Sequence, residues 1–143
     1  KGFNLEYFAY DKNKDFIFAK KNNIKFTSLK NIFKDCDIIT IHLNFQKNNE
    51  KIINKNLLSI IKKSAILINT SRGEIIDEKA LLEALKNNNL AAIGLDVFNV
   101  EPYNGKLIKY NNAILTPHIG SYSMEVRIAM EYEAANNIIK TLK

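Results

Sequence analysis

The sequence predicts an α/β fold built on a parallel sheet. Short β-rich runs alternate with helical patterns along the chain. Those runs are apolar throughout rather than alternating, which suits a parallel sheet covered on both faces. Polar, chemically capable residues gather where the runs end, and sheets of this kind bind ligands outside the carboxyl ends of their strands.

The elements follow in order. LEYFAYD (5–11) is an apolar and aromatic strand that ends in Asp11, and a helix is expected over 14–21. IKF (24–26) reads as a short strand and DIITIHL (37–43) as a near-continuous apolar one. NKNLLSIIKK (54–63) places apolar residues at 57, 58, 60 and 61, one helical face, with Asn54 as its cap. SAILIN (64–69) is the next strand. DEKALLEALKNN (77–88) has acids in its first turn and lysine in its last, as a helix dipole favours. AAIGLDVF (91–98) and AILTPH (113–118) are two further strands, and a long helix over 122–142 closes the chain. No internal domain boundary is visible, so residues 1–143 read as one unit.

Composition narrows the function. A length of 143 residues, 46% of them hydrophobic, suffices for one domain with a core. No apolar run reaches the ~18 residues of a membrane span, and no signal-peptide pattern opens the chain. The single cysteine, Cys36, reads as a small core side chain and fits a reducing compartment. The net charge of +6 invites a nucleic-acid reading. The lysines are scattered and mixed with acids, however, with no arginine cluster or aromatic–basic interleaving, so no nucleic-acid partner is expected. The two histidines and one cysteine have no metal-ligand spacing, and neither a Gly-x-Ser-x-Gly elbow nor a phosphate loop is present.

Four residues at strand ends could carry chemistry. Arg72, in LINTSRGEIID, is one of two arginines among 21 Lys and Arg residues. Its planar fork matches a carboxylate with two parallel hydrogen bonds, which lysine cannot do; otherwise it is a surface residue after a strand. His118, in TPHIG, offers an imidazole that gives and takes a proton near neutral pH, or is structural. His42 reads as packed near the site. Glu101, in DVFNVEP, is either a carboxylate that orients the histidine or a solvated acid. Asp11 is either an acceptor for ribose hydroxyls or a turn aspartate, with Lys12 and Lys14 close by.

Three motifs together resemble the NAD-dependent D-2-hydroxyacid dehydrogenases. LINTSRGEIIDEKALLEAL is similar to their Asn-x-x-Arg-Gly…Asp-Glu segment, IGLDVFNVEP to Gly-x-Asp-Val-Phe-x-x-Glu-Pro, and ILTPHIGSYS to Thr-Pro-His-x-Gly. Order and spacing match too, and the likeness is greatest to phosphoglycerate dehydrogenase-type members. The resemblance implies a doubly wound, Rossmann-like NAD-binding domain. It assigns Arg72 to the substrate carboxylate, His118 to acid/base catalysis, Glu101 to partnering His118, Asp96 to the nicotinamide amide and Asp11 to the ribose. Leu43, Thr70, Ser71, Gly120 and Ser121 match further cofactor contacts, and Arg72 and His118 are expected to contact the cofactor as well.

The implied reaction is hydride transfer between NAD and a D-2-hydroxy acid or 2-oxo acid. D-3-phosphoglycerate is the expected substrate, with hydroxypyruvate or glyoxylate reduction as the alternative. A non-catalytic NAD-sensing protein of the same fold is a further reading. A cytoplasmic homodimer, off the membrane and without metal, is expected. The family's Gly-x-Gly-x-x-Gly loop falls just before the region matched by KGFNLEYFAYD, and its separate substrate domain is not among these residues. Asn44 stands where the family usually has proline. The chain is therefore expected to be the larger C-terminal part of a cofactor domain, lacking the first βα unit, inactive in isolation and uncovered on one side of its sheet.

Overall fold

The computed structural model describes residues 3–142. Among the described residues, six parallel strands alternate with five helices, except that no α-helix separates the last two strands, and they form two sheets rather than one. β1 (Tyr7–Ala9) pairs with β2 (Ile24–Phe26). β3 (Ile38–Ile41), β4 (Ile66–Asn69), β5 (Ala92–Leu95) and β6 (Ala113–Leu115) form a four-stranded sheet in that order. A cleft of about 740 Å³ lies between β1 and β3, lined by residues of both strands.

Each helix starts where a side chain can satisfy its first free amides. Asp15 accepts from Phe18 N at the start of α1 (Phe16–Lys21), and Ser28 accepts from Asn31 N at α2 (Leu29–Asp35). Asn54 caps α3 (Lys55–Leu58), as the sequence predicts, although that helix stops at Ser59, well short of residue 63. Asp77 accepts from Lys79 N and Ala80 N at α4 (Glu78–Lys86). Ser123 caps α5 (Met124–Thr141), which buries none of its residues. The α2 helix is absent from the sequence-based reading.

The register explains which side of the large sheet packs. Ile39, Leu67 and Ile93 share one row, and Ile41, Asn69 and Leu95 another. All six are buried, in a core that also holds Phe33 of α2, Leu58 of α3 and Leu81 of α4. The alternate residues look the other way: Ile38, Ile66 and Ile114 are 54%, 37% and 74% exposed. The sheet is thus packed on one face and open on the other, as expected of a chain uncovered on one side of its sheet, although its apolar strands suit burial on both. Apolar residues on the open face account for the continuous pattern. Cys36 packs partly buried against the core.

The row Ile41–Asn69–Leu95–Leu115 closes the carboxyl edge. The next residues of the four strands are His42, Thr70, Asp96 and Thr116. Among the described residues, no helix is long and apolar enough to cross a membrane.

Candidate active site

The site begins at the end of β4. Asn69 is fully buried, yet every polar atom of its side chain is used. Its Oδ1 accepts from Ser71 N at 3.0 Å and Ser71 Oγ at 2.8 Å, and its Nδ2 donates to Arg72 O at 2.9 Å. One amide therefore folds the Asn69–Arg72 turn and fixes where Arg72 leaves the sheet. Arg72 is exposed; its Nη1 donates to Ser71 O at 2.6 Å, and it has no carboxylate partner among the described residues. Most of its guanidinium fork is available to an anion. Thr70 is exposed and Ser71 partly so on the same turn.

Gly73 follows at once, and its lack of a side chain is required. A Cβ there would lie 2.1 Å from Phe98 C and 2.4 Å from Phe98 O. The turn after β4 thus lies directly against the backbone that follows β5. That second segment carries Glu101. Its Oε1 accepts from Phe98 N at 2.9 Å and its Oε2 meets His118 Nδ1 at 2.8 Å. The carboxylate is anchored at one end and holds the ring at the other. Carboxylate acceptance at Nδ1 leaves Nε2 as the histidine atom turned toward chemistry. The Phe98 amide, then the His118 pairing, hold the Glu101 carboxyl below its ordinary value.

Asp96, one residue beyond β5, is buried and ties three donors. Oδ1 accepts from Thr116 Oγ1 at 2.5 Å and Ile119 N at 2.9 Å, and Oδ2 accepts from Gly120 N at 2.9 Å. Burial pushes this carboxyl up, but the Thr116 hydroxyl, the two amides and attraction to His118 outweigh it, and the net shift is downward. Gly120 sits close to Asp96: a Cβ would lie 3.1 Å from Oδ2. His118 itself adopts φ 55°, a left-handed conformation that costs a non-glycine residue about 1–2 kcal/mol.

The remaining predicted residues occupy other parts of the same edge. Asp11 follows β1, is exposed, and accepts from Asn13 N at 2.8 Å. It lines the cleft with His42 and Leu43. His42 is not packed, as the sequence reading has it, but exposed at the rim, with Nε2 2.9 Å from Thr40 Oγ1. Ser121 is exposed in the turn before α5. The structure brings Glu101 and His118 into contact, which spacing alone could not show. Sequence reasoning missed the anchoring duties of Asn69, Thr116 and the Phe98 amide. A buried-strand asparagine directly before a polar turn was the available signal for the first.

A cofactor with an adenosine ribose and a nicotinamide amide fits these groups chemically. Asp11 offers carboxylate oxygens at the end of β1, and Asp96 Oδ2 accepts one donor from the protein and has capacity for another. No group of three or more metal-ligating side chains occurs among the described residues.

Known proteins resemble the chain in sequence and in fold. Residues 1–120 match the family described as D-isomer specific 2-hydroxyacid dehydrogenase, NAD binding domain. The chain is 38% identical over 140 residues to a glyoxylate reductase of Pyrococcus horikoshii, covering 97% of this chain but only 42% of that protein. It superimposes on a D-lactate dehydrogenase of Aquifex aeolicus complexed with NAD and lactic acid, with TM-score 0.87 and 26% identity. That match covers 96% of this chain and 46% of the other. A glyoxylate reductase of Paecilomyes thermophila matches with TM-score 0.82 and 31% identity, over 86% of this chain and 38% of that one. The curated relatives from Pyrococcus are glyoxylate reductases rather than the phosphoglycerate dehydrogenase-type members expected from the motifs. A putative D-3-phosphoglycerate dehydrogenase of Ralstonia solanacearum is among the matching structures, with TM-score 0.86 and 26% identity over 96% of this chain and 41% of that one.

Proposed function

The chain belongs to the D-isomer specific 2-hydroxyacid dehydrogenase family, as its NAD-binding domain, and from that premise we propose that it carries the catalytic groups of an NADH-dependent glyoxylate or hydroxypyruvate reductase. The observation that carries this is the Glu101–His118 pair, 2.8 Å apart and anchored through the Phe98 amide, on a sheet edge shared with Arg72. The choice of substrate follows the glyoxylate reductase relative, and it replaces phosphoglycerate oxidation as the leading assignment.

Each residue has a role in this reading. Arg72 clamps the carboxylate of the 2-oxo acid and sets the distance of its carbonyl. His118 Nε2 donates a proton to the carbonyl oxygen in reduction and removes it from the hydroxyl in oxidation. Glu101 holds the ring by Nδ1 and stabilises imidazolium. Asp11 accepts the ribose hydroxyls and disfavours a 2′-phosphate. Asp96 Oδ2 accepts the nicotinamide amide, and Leu43, Thr70, Ser71, Gly120 and Ser121 border the cofactor. Bound NADH supplies the hydride. Residues 1–143 form the larger C-terminal part of the cofactor domain, and the complete protein is a homodimer. A non-catalytic NAD-sensing role accounts less well for an intact acid–histidine pair beside an available arginine.

The test is an assay of the complete natural protein with NADH against glyoxylate, hydroxypyruvate and 3-phosphohydroxypyruvate. Turnover of one of the first two, lost on the order of 10²–10⁴-fold in His118→Gln, supports the reading. Turnover restricted to the phosphorylated substrate, or none, overturns it.

A further inference from the structure

The three donors gathered by Asp96 all come from the segment that carries His118. Thr116 stands two residues before the histidine, and Ile119 and Gly120 directly after it. Between them the chain makes a tight reversal, with His118 N donating to Thr116 O at 3.0 Å and His118 at φ 55°. A left-handed histidine does not hold this conformation by preference; something must over-determine it.

Asp96 is itself fixed. Its own amide donates to Asn69 O at 3.0 Å, and Thr116 N donates to Leu95 O at 3.0 Å, so the loop grows out of the β5–β6 ladder beside it. The carboxylate then reaches across from β5 and ties down both sides of the histidine. His118 Nδ1 can meet Glu101 only while that reversal persists.

We propose that Asp96 is a positioning residue for His118: its carboxylate, with the Thr116 hydroxyl, clamps residues 116–120 and so points Nε2 at the substrate. This goes beyond contact with the nicotinamide amide, because it acts through the backbone around the catalytic group. It rests on the assignment of His118 as acid/base.

Asparagine at position 96 has one acceptor oxygen, and its amide would face an N–H donor. Valine at 116 removes only the hydroxyl, and serine restores it. In the complete natural protein, ¹⁵N NMR of His118 and the amide protons of Ile119 and Gly120 report the clamp without any turnover. Asp96→Asn should shift the His118 ring and both amide signals. Thr116→Val should lower kcat by roughly tenfold or more, the effect expected when an acid/base group is misplaced, with KM for NADH unchanged, and Thr116→Ser should recover it. Unchanged His118 signals in Asp96→Asn overturn the clamp. So does wild-type kcat in Thr116→Val, or a rise confined to KM for NADH in Asp96→Asn. If the wild-type protein has no turnover while the His118 signals still move in Asp96→Asn, the clamp stands and the proposed reaction falls.

Discussion

Arg72 is held by its own turn rather than by an acid. Asn69 takes the Arg72 carbonyl and Ser71 takes one guanidinium nitrogen, so the rest of the fork faces solvent. Lysine would keep the charge and lose the second parallel hydrogen bond. A hydrogen bond to a charged group contributes about 1.5–3 kcal/mol. Arg72→Lys should therefore lower kcat/KM for the 2-oxo acid by roughly 10- to 100-fold at this size of loss, with KM for NADH little changed. Steady-state kinetics on the complete protein decide it; near-normal constants would remove Arg72 from the substrate site. At the far side of the edge, Asp11 uses only one oxygen on Asn13 N. Asp11→Ser removes the charge that repels a 2′-phosphate. The ratio of kcat/KM for NADH over NADPH should fall by about tenfold or more, on the scale of a close like-charge repulsion. An unchanged ratio would leave Asp11 as a turn residue.

Between elements, the decisive contact is glycine against backbone. Gly73 starts the single 3-10 turn Gly73–Ile75 between β4 and α4. A methyl group there would press on Phe98 and Asn99, backbone atoms that cannot swing away. Phe98 N is the anchor of Glu101. Gly73→Ala should thus lower stability by about 2 kcal/mol, as overpacking does, and reduce kcat as well, because Glu101 moves with Phe98. Urea denaturation and kinetics on the same variant test both parts; loss of neither would mean that the loop gives way freely. Helix starts were legible at this scale where a capping residue precedes an apolar face, as at Asn54, or where acids gather at the first turn, as at residues 77 and 78, of which Asp77 proves to be the cap. Ser28 precedes α2 in the same way, but LKNIFKD is a run of seven residues with only Leu29, Ile32 and Phe33 as an apolar face, too short for periodicity to separate a helix from a loop. The early stop of α3 was hidden: Ile60 and Ile61 continue the helical spacing, and Ile61 still packs in the core after the helix has ended.

Over the whole molecule, order along the chain and the carboxyl-edge site were legible, because apolar runs end in Asp11, Asn69, Asp96 and Thr116. The division into two sheets was not, since pairing between distant strands leaves no local pattern. Contact between Glu101 and His118 was hidden for the same reason. Two acids of the site, Asp96 and Glu101, have folded pKa values below their ordinary 3.8 and 4.5. A depressed carboxyl stabilises the fold fully above its unfolded value and loses that contribution as pH falls through the folded one. The 116–120 segment hangs on both groups, so acid should loosen it before the Leu67–Ile93–Leu81 core responds. Below the ordinary carboxyl range stability should fall. Glu101→Gln has no proton to bind at that position, so its stability should fall less steeply from about pH 5 to pH 3, the window in which such carboxyls are lost. Urea midpoints at several pH values give the two slopes. Equal slopes would mean that Glu101 is no better ionised in the folded chain than in the unfolded one, and its anchoring by Phe98 and His118 would contribute nothing to acid stability.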